Sequence, residues 1–168
     1  MAWCQKNIGA RYDRFRFLHL DIYNEYYNPR GKKRIEDLSL PEKHFDTAIF
    51  CSVFTHLIDS DVDAYLKLLS KHMASGGLLW GTWFIMDEEA RRLVREGKST
   101  LKFILDDSKT FFLDAERKST VAVAYDPDYV RQLLQSHGFA IEHLDKGLWC
   151  QRDLPWGGYQ DLIVARLA

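Results

Sequence analysis

The sequence predicts an α/β fold built on a mostly parallel sheet whose last strand is antiparallel. Three observations carry that prediction. Asp46–Phe50 is a nearly continuous apolar run, the pattern of a strand covered on both faces. A helical stripe over Asp61–Met73 follows, then Ser75-Gly76-Gly77, then a second apolar run over Leu78–Phe84. Strand, helix and strand with short loops make a βαβ unit, whose crossover is right-handed in about 98% of cases. The chain closes on two further strands, Phe139–Leu144 and Asp161–Leu167. Lys146 to Gln160, with Gly157-Gly158, joins them as a hairpin-like antiparallel pair.

The remaining elements follow in chain order. Trp3, Ile8 and Tyr12 recur at roughly helical spacing, so Met1–Tyr12 is expected to hold a short helix. Arg14–Leu20 is expected to be a strand with Phe15, Phe17, Leu18 and Leu20 buried. Asn24–Lys43 is polar, carries Pro29, Gly31 and Pro41, and predicts a loop. Its basic cluster, Arg30, Lys32, Lys33 and Arg34, fits a solvated loop, with contact to an anionic substrate as the alternative. Asp59 or Ser60 supplies a short oxygen side chain to N-cap the helix over Asp61–Met73. Val62, Tyr65, Leu66, Leu69 and Met73 form that helix's apolar stripe. Gly76 suits the helix end because glycine tolerates positive φ. Trp80 and Trp83 on the following strand are expected in the core. Asp87–Glu96 predicts a charged helix, and Ser99–Val123 has apolar residues without a sustained period. Val121–Tyr125 fits a short strand. Asp126-Pro127 opens a helix, with Asp as N-cap and Pro at the first helical position. Tyr129, Val130, Leu133 and Leu134 are its buried face, and Gly138 closes it.

A length of 168 residues fits one domain. The formal net charge of -1 argues against an electrostatic nucleic-acid binder. No apolar run approaches the roughly 20 residues that span a bilayer, and Met1 is followed by no apolar leader. Cys4, Cys51 and Cys150 are odd in number and widely spaced, which argues against a disulfide framework and for a reducing, cytoplasmic setting. With no C-x-x-C and no paired-histidine spacing, no structural zinc is expected.

Three phrases carry a family resemblance. They are Asp21-x-Tyr23 with Tyr27-Asn28-Pro29-x-Gly31, Phe45-Asp46 with Ser52-Val53-Phe54-Thr55-His56-Leu57, and Gly76-Gly77-Leu78-Leu79-x-Gly81-Thr82-Trp83-Phe84. With the strand pattern, they make nearly the whole chain resemble the class I S-adenosylmethionine-dependent methyltransferases. Within these the phrases are most similar to a bacterial subgroup that modifies saccharides and other small metabolites. The resemblance implies a Rossmann-like sheet of which residues 1–168 form a single partial domain. Arg14–Leu20, Asp46–Phe50, Leu78–Phe84, Phe139–Leu144 and Asp161–Leu167 would be family strands three to seven.

The resemblance also implies roles. Asp21 would receive the adenine amino group, a donor suited to a carboxylate, and Ile22 would pack on the ring. Cys51 and Ser52 would lie under the methionine part of the cofactor, with Phe54 beside them. Thr55, Trp83 and Tyr159 would meet the acceptor, a small molecule or saccharide. Methyl transfer is an in-line displacement at a sulfonium carbon, so the protein mainly positions the reactants. An oxygen acceptor also needs a base, and His56 is the candidate because imidazole titrates near neutral pH. Plainer readings stand beside these. His56 would be a helix-start histidine bonded to a carbonyl, Asp21 an Asx turn, and Cys51 a small packed residue. Trp149, Trp156 and Tyr159 would either stack on a ring or pack over the last hairpin.

One departure is large. The family's first strand and Gly-rich turn, and the acidic residue ending its second strand, have no counterpart in this sequence; Gly9 stands alone with no strand before it. Weak or absent cofactor binding is therefore expected. Loss of the strands that lie between three and four would leave apolar edges open to pairing, so a homodimer through the open sheet edge is expected. The rival reading is a non-catalytic methyltransferase-like module that dimerises or binds a partner protein. A nucleotide-binding oxidoreductase is disfavoured because no G-x-G-x-x-G is present.

Overall fold

Four strands form the main sheet in a computed structural model that describes residues 1–38, 40, 45–114, 116 and 120–168. They are β1 (Phe45–Phe50), β2 (Met73–Trp83), β5 (Phe139–Asp145) and β6 (Asp161–Leu167), in the order β1-β2-β6-β5. β1 and β2 run parallel, and β6 lies antiparallel between β2 and β5. The parallel pair and the antiparallel closing pair are those predicted from the sequence. A separate two-stranded ribbon joins β3 (Thr110–Phe112) to β4 (Val123–Tyr125). It takes in Phe111, Phe112 and Val123 from the apolar residues of 99–123 that show no period.

The helices are α2 (Asp59–His72), α3 (Glu88–Arg95) and α4 (Pro127–Ser136), after a helical turn α1 (Ala2–Cys4) that continues as a wide turn over Gln5–Gly9. Asp126 caps α4 as expected, its Oδ1 accepting from the backbone N–H of Asp128 and Tyr129. The expected cap of α2 is corrected. Asp59 is already inside the helix, and Ile58 stands at the N-cap with no side-chain bond. One core joins Val62, Leu66 and Leu69 of α2 to Val130 and Leu134 of α4, Leu79 and Trp83 of β2, and Ile163 and Ala165 of β6. A second gathers Phe84, Phe103, Phe111 and Trp149.

β2 is longer than predicted. Gly76 and Gly77 do not separate helix from strand but sit in a bulge within β2, where the partner of Phe45 is Met73 and that of Thr47 is Leu78. Gly76 takes φ of 80° there, a conformation glycine adopts at little cost. Trp80 is 43% exposed while Trp83 is fully buried, because alternate residues of a strand face opposite sides. The core position expected for Trp80 is thus corrected.

Contacts divide the chain into two units, Met1–Leu38 and Ser39–Ala168, where the sequence predicts one domain. In the first unit the strand expected over Arg14–Leu20 does not form. Phe15, Leu18 and Leu20 are exposed rather than buried. A strand exists only by pairing, and among the described residues this segment has no ladder partner. Main-sheet strands therefore occupy positions four to seven of the implied family order. The loop expected over 24–43 does form a turn, where Asn24 Oδ1 accepts from the backbone N–H of Tyr26 and Tyr27. Pro41 and Lys43 lie outside the described residues. Among the described residues, no helix is long and apolar enough to cross a membrane.

Candidate functional site

A groove of about 420 Å³ opens at the carboxyl ends of β1 and β2, lined by Ser52, Thr82, Asp145, Lys146, Tyr159 and Gln160. Ligands of open α/β sheets bind outside this edge of the strands. Each wall has a cause in the fold. Ser52 lies in the turn after β1, Thr82 near the end of β2 and Asp145 at the end of β5. Tyr159 and Gln160 lead into β6, which meets β2 with Asp161 opposite Trp83.

Ser52 is exposed and has φ of 53°, a left-handed conformation uncommon outside glycine. Two bonds from distant segments hold it. Its N–H donates to Thr82 Oγ1 at 2.7 Å, and its hydroxyl donates to Gln160 Oε1 at 3.0 Å. Gln160 also donates from Nε2 to Thr55 Oγ1 at 3.5 Å. Gln160 thus ties together two residues that the sequence singles out, Ser52 and Thr55. It has no motif of its own; position after Gly157-Gly158-Tyr159 and before the last strand is the only sequence signal.

Phe54 and Trp83 are fully buried. Phe54 stacks between Phe50, with ring centres 4.8 Å apart, and Trp83, at 4.3 Å. Trp83 in turn meets the edge of Tyr125, whose hydroxyl donates to the Leu57 carbonyl. Phe54, Trp83 and Tyr125 form an enclosed floor beneath the turn, and Phe50 is half-buried at its edge. Thr55 is likewise buried, and Cys51 is exposed. His56 is half-buried, and its Nδ1 donates to the Thr120 carbonyl at 3.2 Å. It does not line the groove. Asp21 and Ile22 belong to the first unit. There Asp21 Oδ1 accepts from Asn28 Nδ2 at 3.2 Å.

Beneath the groove lies a buried ionic network that the sequence does not announce. Asp161, fully buried, accepts four N–H donors. Gly147 N at 2.8 Å and Arg152 Nη1 at 3.0 Å meet Oδ1, and Ile85 N and Trp149 Nε1, both at 2.7 Å, meet Oδ2. Arg152, also buried, donates to the carbonyls of Gly147 and Ile85 and pairs with Asp87 Oδ1 at 3.1 Å. Lys146 Nζ reaches Asp87 Oδ2 at 2.9 Å. Burial pushes the Asp161 carboxyl up from its ordinary value, against the Arg152 charge and the N–H donors. Partial burial pushes Asp87 the same way, but hydrogen bonds from Lys146 and Ala90 N and the Arg152 charge outweigh it and hold Asp87 below the usual carboxylate range. The network fastens the 146–160 connection to the end of β2.

No protein-family model matches the chain. Among solved structures it is similar to an S-adenosylmethionine-dependent methyltransferase from Methanosarcina mazei, at 16% identity and TM-score 0.51, over 80% of this chain and 65% of that one. It is also similar to the mitomycin 7-O-methyltransferase MmcR, at 15% identity and TM-score 0.52, over 81% of this chain and 33% of that one. The pyocyanin biosynthetic protein PhzM matches at 16% identity and TM-score 0.50, over 82% of this chain and 34% of that one. The chain spans less than two thirds of the length of each. Its fold is that of the class I methyltransferases, carried in part.

Proposed function

We propose that this chain forms the acceptor-side portion of an S-adenosylmethionine-dependent methyltransferase acting on a small molecule, a saccharide among the candidates. The observation that carries the reading is the groove at the carboxyl edge of a sheet with this strand order, between the turn after β1 and the β5–β6 connection. A volume of about 420 Å³ lies within the ordinary range of small-molecule sites. The cofactor, when bound, supplies an electrophilic methyl group on a sulfonium sulfur. The turn offers it an exposed Ser52 hydroxyl and Cys51, both freely accessible. Within the first unit, Asp21 retains lone pairs beyond the one Asn28 occupies, a chemistry suited to an amino-group donor, and Ile22 follows it in sequence. Phe54 and Trp83 act in this reading as the rigid floor that fixes the turn, and Thr55 positions Gln160. Tyr159 faces the acceptor.

His56 is the proposed base. Its Nδ1 donates to the Thr120 carbonyl, which orients the ring beside the turn after β1. His56→Asn should lower kcat while cofactor affinity stays the same; an unchanged kcat excludes the role. The outer edge of β1 is the proposed pairing site for a second copy. Among the described residues β1 pairs only with β2, and Ile49 is 68% exposed. A monomer in sedimentation at micromolar concentration would remove that part. The cytoplasmic setting belongs to the proposal too, on three cysteines that are all free.

The deciding experiment is calorimetric titration with S-adenosylmethionine and S-adenosylhomocysteine. Weak binding, detectable below millimolar ligand, is expected; where it reaches the micromolar range, Asp21→Ala weakens it by about 1–3 kcal/mol, the usual cost of stranding a donor. Absence of binding up to millimolar ligand refutes the reading.

A further inference from the structure

The 146–160 connection presents two aromatic rings to solvent on a foundation that is fixed from below. Trp156 is 78% exposed and Tyr159 is 52% exposed, whereas Trp149 is fully buried. Packing over the hairpin is therefore done by Trp149, which meets Phe84 and Phe103, and burial gives no reason for Trp156. A second concavity of about 310 Å³ lies against Trp156, lined also by Asp145, Lys146, Leu154, Pro155 and Gly158. It meets the groove already described over Asp145, Lys146 and Gly158. The two form one trough running from the turn after β1 to Trp156.

We propose that this trough is the acceptor subsite, and that it takes a ring with a flat apolar face and hydroxyl groups on its rim. The proposal rests on the methyltransferase reading above and adds to it the class of acceptor. Indole and phenol rings offer a broad apolar face for stacking and a polar edge for orientation. The trough's remaining walls supply both kinds of hydrogen-bonding group. The Asp145 carboxylate, the Ser52 hydroxyl and the Gln160 amide oxygen accept, and the Gln160 amide N–H and the Lys146 ammonium donate. The Lys146 charge is already paired with Asp87 at 2.9 Å, and His143 Nε2 lies 2.9 Å from Asp145 Oδ1. A neutral hydroxylated ring therefore fits better than a strongly ionic ligand. Each concavity is at the small end of ligand sites, with room for one ring and its substituents.

The foundation makes the rings a preformed surface. Leu148 N–H donates to the Gly158 carbonyl and Trp149 N–H to the Tyr159 carbonyl, closing the base of the connection. A Cβ on Gly147 would stand 2.3 Å from the Gln160 carbonyl carbon and 2.5 Å from the Tyr159 oxygen, so the two strands of the loop touch backbone to backbone. Asp161 and Arg152 then lock Gly147 and Trp149 from beneath. The backbone that carries Trp156 and Tyr159 is thereby fixed, and the Tyr159 ring is further seated edge-on against Phe84.

Phenols and pyranosides share this ring chemistry, and two probes separate them. Catechol and a methyl pyranoside are titrated, up to millimolar concentration, into the full chain and into Trp156→Ala, with the tryptophan indole N–H resonances as the readout. S-adenosylhomocysteine affinity is measured on the same samples. One of the two probes should shift the Trp156 resonance, and the probe that does so names the ring class. Trp156→Ala should weaken that probe about tenfold, which is roughly 1.4 kcal/mol, and leave S-adenosylhomocysteine affinity unchanged. The proposal is overturned if neither probe shifts the Trp156 resonance, or if Trp156→Ala binds the probe as well as the parent chain does. Ring binding without S-adenosylhomocysteine binding would keep the subsite and remove the methyltransferase reading. S-adenosylhomocysteine binding without ring binding would do the reverse. Because Trp156 is largely exposed, its replacement should leave the melting curve unchanged, which separates lost stacking from lost folding.

Discussion

Replacing Asp161 by Asn tests whether the β5–β6 connection is held by buried charge. The carboxylate accepts two N–H donors on each oxygen, at 2.7 to 3.0 Å. Asn has the same shape but only one acceptor oxygen. Whichever way its amide turns, an NH₂ group faces two N–H donors in a space closed to water. Stranding buried donors costs about 1–3 kcal/mol each. Removing one partner of a buried ion pair costs about 3–5 kcal/mol, because the other charge is left unpaired. These two figures describe overlapping events and do not add. Arg152 also keeps Asp87 at 3.1 Å, which offsets part of the loss. The expected cost is therefore about 3–4 kcal/mol. For a chain of this size each kcal/mol moves Tm by roughly 2–4 °C, so Tm should fall by roughly 6–16 °C. Urea unfolding followed by far-UV circular dichroism measures this directly, with an unchanged m-value expected. Asp161→Asn combined with Arg152→Met should cost less than the sum of the two single changes, since it leaves no orphaned charge. A loss below about 1 kcal/mol for Asp161→Asn would refute the reasoning, since even one stranded donor should exceed it.

Three further outcomes follow from the same structure. In Gly81→Ala the new Cβ would stand 2.8 Å from Phe54 Cε2, and Phe54 cannot withdraw because Phe50 and Trp83 hold both its faces. Overpacking of this kind should cost about 1–3 kcal/mol, and an unaltered melting curve would show that the stack is looser than described. Burial pushes the Cys150 thiol up to about 11, so an alkylating reagent at mildly alkaline pH should modify the exposed Cys51 first and reach Cys150 only on unfolding; equal rates by mass spectrometry would contradict the enclosure. Asp87 titrates below its ordinary value in the folded chain despite partial burial, through its bonds to Lys146, Ala90 N and Arg152, so its contribution to stability is present above the unfolded-state value and is lost as pH falls through the folded one. Asp87→Asn should therefore flatten the acid-side decline in the urea midpoint, and an identical decline would assign it to other carboxylates.

The parts of the fold that were legible are those set by short-range pattern. Apolar runs in β1 and β2, the stripe Val62-Leu66-Leu69 and the Asp126-Pro127 start each fix one element from its own residues. Failures occurred where the deciding partner is remote. Arg14–Leu20 has the composition of a strand, yet strand formation depends on a neighbour it lacks among the described residues. Trp80 and Trp83 are the same residue three positions apart, and only the register of the sheet separates exposed from buried. The groove shows the same division. The sequence marks Ser52, Thr55 and Tyr159, but Gln160 acquires its place through bonds to residues 108 and 105 positions away. Asp161 and Arg152 carry no motif, and their pairing exists only once β6 has entered beside β2.

The distribution of costly features in this chain is itself informative. A buried ion pair rarely improves on an apolar pair of the same volume, so Arg152 and Asp161 are poorly explained as stabilisers. Ser52 holds a backbone conformation that a non-glycine residue adopts only when its surroundings enforce it. Neither feature lies in the core between α2, α4 and the sheet, where apolar packing is continuous. Both lie at the carboxyl edge, and Gln160 joins them, bonded to Ser52 on one side and adjacent in sequence to Asp161 on the other. Strain and buried charge that gather at one sheet edge, around one groove, are what a preformed binding surface requires and what a relic retained for packing alone does not. That asymmetry marks the groove as the place where the proposed function is to be tested, on grounds independent of the likeness to known methyltransferases.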